Sequence, residues 1–226
     1  MNIIKKKIVS VLERKMIKTA RVLAIRYWYD QSMVEIDLHV PDMKPADWTS
    51  VQHMKIKVAE GTYRDYSPTM WDIETKTCSL IIDTSHDGRG AHWALQLNSG
   101  DLIEYLGIGS TGHRYVEKQP IICIGDESSL AHFIALMQLI GKDNELKGTI
   151  GFSNPNHLTE YQANIRAPFV PLPKDVEVIK QWIISESPKN HLVYIAGSYQ
   201  LVSEMKRFVR NVPGFRGTIK GQGFWK

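Results

Sequence analysis

Cysteine is scarce in this chain. Only Cys78 and Cys123 occur in 226 residues, far apart and each in an apolar, strand-like run. No CxxC pair exists, so neither an iron–sulfur cluster nor a zinc site is indicated. Both thiols read as buried, reduced core residues. The eight histidines include no HExxH and no helical pair at ligand spacing, and no metal site is expected. Any redox group would then be an organic cofactor. Long apolar runs are also missing. No stretch approaches the ~20 apolar residues of a membrane span. The N-terminal MNIIKKKIVSVLERKM has a basic start, but its apolar run is short and meets Glu13 and Arg14 at once, unlike a signal peptide. Lys5, Lys6 and Lys7 read as a solvated helix face rather than as a nucleic-acid or membrane contact. The net charge of +4 is mild and suits anionic ligands of many kinds. The expectation is a cytoplasmic protein with no membrane span and no nucleic-acid partner.

What is present is ordinary for a globular protein: 43% hydrophobic and 23% charged residues, in a length suited to one large or two small domains. No repeat or low-complexity tract interrupts it. The first half is a series of short β-segments: TARVLAIRYW, MVEIDLHV, HMKIKV, TYRDYSP, CSLIIDTS and LIEYLGIG. Six such segments predict a six-stranded antiparallel β-barrel. One helical stretch, GRGAHWALQL, breaks the series and is ended by NSGD. From about Gln119 the pattern changes. Strand-like IICIG, GTIGFS, HLVYIAGS and FRGTIKGQGFW alternate with helical SSLAHFIALMQLI, DVEVIKQWIIS and LVSEMKRFVRNV. That alternation predicts an α/β domain with a parallel, nucleotide-binding-like sheet. The polar EKQP places the boundary at 118/119, giving domains 1–118 and 119–226.

Three stretches bear on chemistry. In TYRDYSP, strand alternation puts Arg64 and Tyr66 on one face and Asp65 and Ser67 on the other. A cation beside a flat ring suits a phosphate and a conjugated ring system, and equally a plain barrel surface. In SHDGRGAHWA a strand end runs through Gly88 and Gly90 into a helix whose free amides and dipole attract phosphate, with Arg89 and His86 nearby. A Gly-rich turn is the alternative. IGDESSLAHF lies at the carboxyl end of the first parallel strand, where open α/β sheets bind ligands. It is not a GxGxxG, and Asp126 and Glu127 do not suit a pyrophosphate. YIAGSYQLVSEM repeats the strand–Gly–Ser–helix form. GFSNPN, after the second parallel strand, lacks the acid that reads a ribose 2′-hydroxyl, which leans toward NADPH. Its Ser153 and Asn154 are read either as phosphate contacts or as a loop cap.

Together and in this order, the motifs resemble the ferredoxin–NADP reductase superfamily. Within it they resemble the siderophore-interacting proteins, the FAD-binding ferric-siderophore reductases. The match runs from about Val51 to the end. RDYSP resembles that family's R-x-Y-[ST]; DTSHDGRGAHWA its H-x-x-G-x-[GA]-x-x-WA phosphate helix; NSGD its P-G-D; IGDESSLAHF its G-D-E-[TS]-A-[LI]; YIAGSYQLVSEMKRFV its A-G-E helix; GQGFWK its terminal G-Y-W-R. Ser198 stands where the family has an acid, and Phe224 where it has a tyrosine.

The resemblance implies the following roles. Arg64 pairs with an FAD phosphate, Tyr66 packs on the isoalloxazine and Ser67 lies near the flavin N5. Tyr66 and Ser67 are thus the catalytic candidates. His86, Gly88, Gly90 and Ala91 bind the pyrophosphate, and Trp93 packs nearby. Gly125, Asp126, Glu127, Ser128 and Gly197 face the nicotinamide side. NAD(P)H, or a ferredoxin, supplies electrons that pass through FAD to Fe(III) in a siderophore or another ferric chelate, releasing Fe(II). Lys55, Arg114 and Lys226 are candidate contacts for an anionic chelate. The alternatives are a flavin electron-transfer or flavin reductase protein with another acceptor, and a non-catalytic flavin- or siderophore-binding protein.

Overall fold

The computed structural model describes residues 16–116, 119–141 and 145–225. The Lys5–Lys7 run and Lys226 lie outside them. The first half forms one antiparallel sheet of β1 (Lys18–Tyr27), β2 (Met33–His39), β3 (Ser50–Ala59), β4 (Thr62–Tyr66), β5 (Thr69–Asp72), β6 (Thr77–Asp83) and β7 (Leu102–Arg114). The strand order is β4-β3-β7-β1-β2-β6-β5. All six expected segments are strands, and Thr69–Asp72 adds a seventh. The sheet is barrel-like but open: among the described residues no ladder joins its edges, β4 and β5.

Period-2 alternation explains how this sheet packs on both faces. Val34, Ile36 and Leu38 of β2, Met54 and Ile56 of β3, and Leu80 and Ile82 of β6 fill the inner core. Their sequence neighbours Met33, Val51 and Ile81 turn outward into a second core shared with the other half of the chain. Between β6 and β7 runs α1 (Arg89–Gln96), whose Ala91 and Ala94 are buried.

The second half is a parallel sheet of β8 (Ile121–Asp126), β9 (Leu146–Phe152), β10 (Phe169–Pro173), β11 (Leu192–Ser198) and β12 (Thr218–Trp225), in the order β10-β9-β8-β11-β12. Residues of α2 (Leu130–Ile140) and α3 (Pro155–Asn164) pack in the core on one face. Those of α4 (Val176–Glu186) and α5 (Tyr199–Arg210) pack in another on the opposite face. β8 is buried at every position, as its unbroken apolar run requires. α2 is buried over Leu130–Leu136 because it lies between the two sheets, packing on β8–β9 residues and on outward residues of the first sheet. Both cysteines are free and buried. Burial pushes the Cys78 thiol up to about 12 and raises that of Cys123. No helix of the described residues is long and apolar enough to cross a membrane.

Candidate functional site

A cleft of about 600 Å³ runs between the two sheets. Its lining includes Arg64, Tyr66, Ser67, His86, Gly88, Gly90, Ala91, Glu127 and Ser128. Three separate stretches of sequence therefore meet in one place. The order of the strands brings this about: β4 is one edge of the first sheet, α1 follows β6 beside the other edge, and the turn after β8 joins them in the cleft lining.

On the first-sheet side, β4 pairs with β3 so that Lys55 lies opposite Asp65 and Ile56 opposite Arg64. Lys55 Nζ and the Asp65 carboxylate form an ion pair at 2.8 Å, so this lysine already has an acid. Arg64 is exposed, donates to the Tyr63 carbonyl at 2.8 Å, and has no acid partner among the described residues. Tyr66 stacks on Trp93 with centroids 6.0 Å apart and planes 15° from parallel. Burial pushes its hydroxyl up to about 12, against the pull of the Arg64 charge. Arg64 and Tyr66 both reach over Gly90. A Cβ there would collide with the Tyr66 hydroxyl and touch Arg64 Cγ at 3.5 Å. That contact explains the glycine, and it places the two side chains on one face as strand alternation requires.

Gly88 is the N-cap of α1 and has extended backbone angles with no side-chain cap. The first-turn amides of a helix have no intrahelical acceptor, and here they open on the cleft beside the unpaired Arg64. A Cβ at Gly88 would lie 2.9 Å from the His86 ring. His86 is exposed, with its Nδ1 4.0 Å from the Asp83 carboxylate. Arg89 turns away from the cleft and donates to Thr62 Oγ1 at 2.7 Å.

The parallel-sheet side is built differently. Asp126 is fully buried and is not part of the lining. Its carboxylate accepts from Ser128 N at 3.2 Å, Ser128 Oγ at 2.5 Å and Ser198 N at 3.0 Å. It caps the short 3₁₀ turn Glu127–Ser129 and ties β8 to β11. Gly125 and Gly197 are buried supports too. A Cβ at Gly125 would strike Ser129, and one at Gly197, whose φ is +133°, would lie 2.6 Å from the Asp126 carboxylate. Glu127 is buried at the cleft wall, accepts from Ser153 Oγ at 2.7 Å and lies 3.4 Å from Lys174 Nζ. Ser153 is therefore bound to Glu127. Asn154 caps α3 by accepting from Asn156 N at 3.0 Å, the loop-cap alternative for GFSNPN.

Sequence reasoning missed four wall residues: Ser153 as a partner of Glu127, Lys174, Phe224 as a lining group, and Trp225. Lys174 lies 3.5 Å from Asp126 and 5.2 Å from the Trp225 ring centroid. Trp225 Nε1 donates to Ser128 Oγ at 3.1 Å. Lys174 follows PLP at the end of β10, a strand that carries no clear pattern, and nothing local marks it. Arg114 is not among the lining residues.

No family model and no curated protein matches the sequence. Solved structures do match its shape. A siderophore-interacting protein from Acinetobacter baumannii superposes with a TM-score of 0.73 at 13% identity, over 92% of this chain and 90% of the other. A siderophore utilization protein from T. fusca gives 0.69 at 16% identity, over 93% and 92%. The ferredoxin reductase in carbazole 1,9a-dioxygenase, in its FAD apo form, gives 0.70 at 17% identity, over 93% and 66%. At such identities the likeness establishes the fold. It is the two-sheet architecture of siderophore-interacting proteins and ferredoxin reductases, the groups that the motifs resemble.

Proposed function

We propose that this chain is an FAD-dependent oxidoreductase. Residues 1–118 would form the flavin domain and 119–226 the domain facing the electron donor. The finer reading is a cytoplasmic ferric-siderophore reductase that draws electrons from NADPH, NADH or a ferredoxin. The observation that carries it is the meeting of Arg64, Tyr66, Ser67 and the uncapped start of α1 in one cleft, with Gly90 letting Arg64 and Tyr66 close over the helix start. A group carrying both a diphosphate and a flat ring fits that set.

When bound, FAD supplies the conversion between two-electron donors and one-electron acceptors. The rest falls to the protein. Arg64, lacking an acid of its own, would hold a phosphate by a charge-assisted hydrogen bond. The first-turn amides of α1 would share that charge with their dipole. Tyr66, braced by Trp93, would give the ring system an apolar wall, with Phe224 and Trp225 lining the cleft from β12. Ser67 would present a hydroxyl to a ring nitrogen. Glu127, Ser128 and Lys174 would meet the donor side.

A ferredoxin reductase with another acceptor is the second reading, favoured by the fold shared with the carbazole dioxygenase reductase. The test is to purify the protein, add FAD, and record the absorption spectrum before and after anaerobic NADPH or NADH. Flavin bands near ~450 nm that bleach, and recolour with a ferric siderophore, are the expected result. Bleaching with no response to ferric chelates would favour the second reading. Bands that persist with both nucleotides would point to a ferredoxin donor or to a binding protein. A protein that takes up no FAD would overturn the proposal.

A further inference from the structure

One edge of the parallel sheet carries a groove that the proposed roles leave unused. β12 is that edge, and among the described residues no strand pairs with its outer side. In its ladder with β11, Thr218 N donates to the His191 carbonyl at 3.2 Å. A parallel ladder turns alternate residues toward the same neighbour, so Thr218, Lys220 and Gln222 face β11. Ile219, Gly221 and Gly223 therefore point their amides and carbonyls outward, where none has a backbone partner among the described residues.

α5 lies close over this edge because two glycines admit it. A Cβ at Gly221 would lie 2.7 Å from Val202 and 2.9 Å from the Lys206 stem, and one at Gly223 would lie 2.6 Å from the Tyr199 ring. Ser203, Lys206, Arg207 and Arg210 follow along one side of the helix and line a groove of about 510 Å³ with the two glycines. Ser203, Arg207 and Arg210 are exposed. Glu204, the single acid of α5, turns to Lys180 at 2.9 Å, and none of the three cations has an acid partner among the described residues. The helix dipole favours Arg207 and Arg210 in the last turn. It gives no reason for Lys206, nor for the open backbone edge beside all three.

We infer that the β12 edge and the cationic stripe of α5 dock an acidic, extended segment of a partner protein, which joins the sheet as a further strand. This stands apart from the flavin reading. The outward groups of Ile219, Gly221 and Gly223 pair with the backbone of the segment. Its alternate side chains face α5, where acids meet Lys206, Arg207 and Arg210. A second copy of this chain fits the edge badly. Antiparallel pairing of β12 with β12 about a two-fold axis would set one α5 beside the other, cation against cation. The net charge of +4 opposes it further. A nucleic acid would use the cations and leave the edge amides unpaired.

The test uses ¹⁵N-labelled protein and a short peptide of alternating valine and glutamate at low salt. The expected result is that the peptide binds and that amide exchange slows at Ile219, Gly221 and Gly223, with little change at Lys220 and Gln222, which face β11. Lys206→Ala, Arg207→Ala and Arg210→Ala together should weaken binding roughly tenfold, through the loss of three exposed ion pairs, with the unfolding midpoint unchanged. A peptide with proline in place of valine keeps the charge but cannot pair as a strand, and should bind about tenfold more weakly. Equal binding of the proline peptide, or of an oligonucleotide of the same charge, would reduce the groove to a general anion surface and overturn the docked strand. Failure of the glutamate peptide to bind, or binding that survives the triple substitution, would also overturn it. Exchange at the same three amides that slows in the protein alone, as its concentration rises, would assign the edge to a second copy and overturn the acidic partner.

Discussion

On the first-sheet side of the cleft, Arg64 has no acid among the described residues, α1 has no side-chain cap, and Gly88 and Gly90 let His86, Tyr66 and Arg64 pack closely on the helix start. On the parallel-sheet side, Asp126 is held by Ser128 and Ser198, and Glu127 by Ser153 and Lys174. The first wall leaves its strongest polar groups open to solvent or to a ligand. The second pairs its buried acids within the protein, although Glu127 Oε2 has only the 3.4 Å approach of Lys174. Under the proposed reading, one wall offers its open groups to an anionic ligand, and the other holds the loops after β8 and β11 in place. Three changes would break or sharpen that contrast.

The largest effect belongs to the second wall. Asp126→Ala strips the acceptor from three donors and leaves Lys174 with one acid fewer. Breaking buried ionic contacts of this kind costs about 3–5 kcal/mol, to be read from urea unfolding at neutral pH. Full stability with loss of pyridine-nucleotide binding alone would show that the carboxylate is a ligand group and not a staple. Next comes the first wall. Arg64→Ala should weaken FAD binding by about 1.5–3 kcal/mol, the range for a hydrogen bond to a charged group, with unfolding midpoints unchanged. Unaltered flavin content after gel filtration would remove Arg64 from the phosphate role. The third concerns two buried histidines between the walls, His113 and His132, with His113 Nδ1 2.8 Å from His132 Nε2. Their folded-state pKa values lie below the ordinary 6.5, with His113 at about 3. The unfolded chain therefore binds more protons below pH 6.5. Stability should fall as pH drops from 6.5 toward 3, by at most about 1.4 kcal/mol per pH unit for each ring. His113→Leu should flatten that slope, and an unchanged slope would mean that His113 is not kept neutral.

Much of the architecture was legible because periodicity and burial agree. β2 sends Val34, Ile36 and Leu38 into one core and Met33, Glu35 and Asp37 to the other face, and β8 reads as an apolar run because it is covered on both faces. The six expected strands missed Thr69–Asp72, which is four residues long, bulged in its pairing and interrupted by Met70 at φ +48°. β10 was hidden by Pro171 and Pro173. α3 did carry a signal, Asn154 as N-cap followed by Pro155 at the first helical position. At the site, Gly88, Gly90, Arg64, Tyr66 and Ser67 stood out by local spacing. Lys174 and the His113–His132 pair did not. The two histidines are 19 positions apart and meet only because the end of β7 packs against α2, a tertiary fact with no sequence period.

The prolines of β10 have a wider consequence. β10 is an edge of its sheet, and Pro171 and Pro173 are two residues apart, so their nitrogens face the same way. Neither can donate to β9 or to anything else. A foreign strand arriving at that edge would find carbonyls without the matching amides, and pairing would stop before it began. The FVPLP segment thus closes this one edge to strand addition, a protection written into a strand too irregular to be recognised as one.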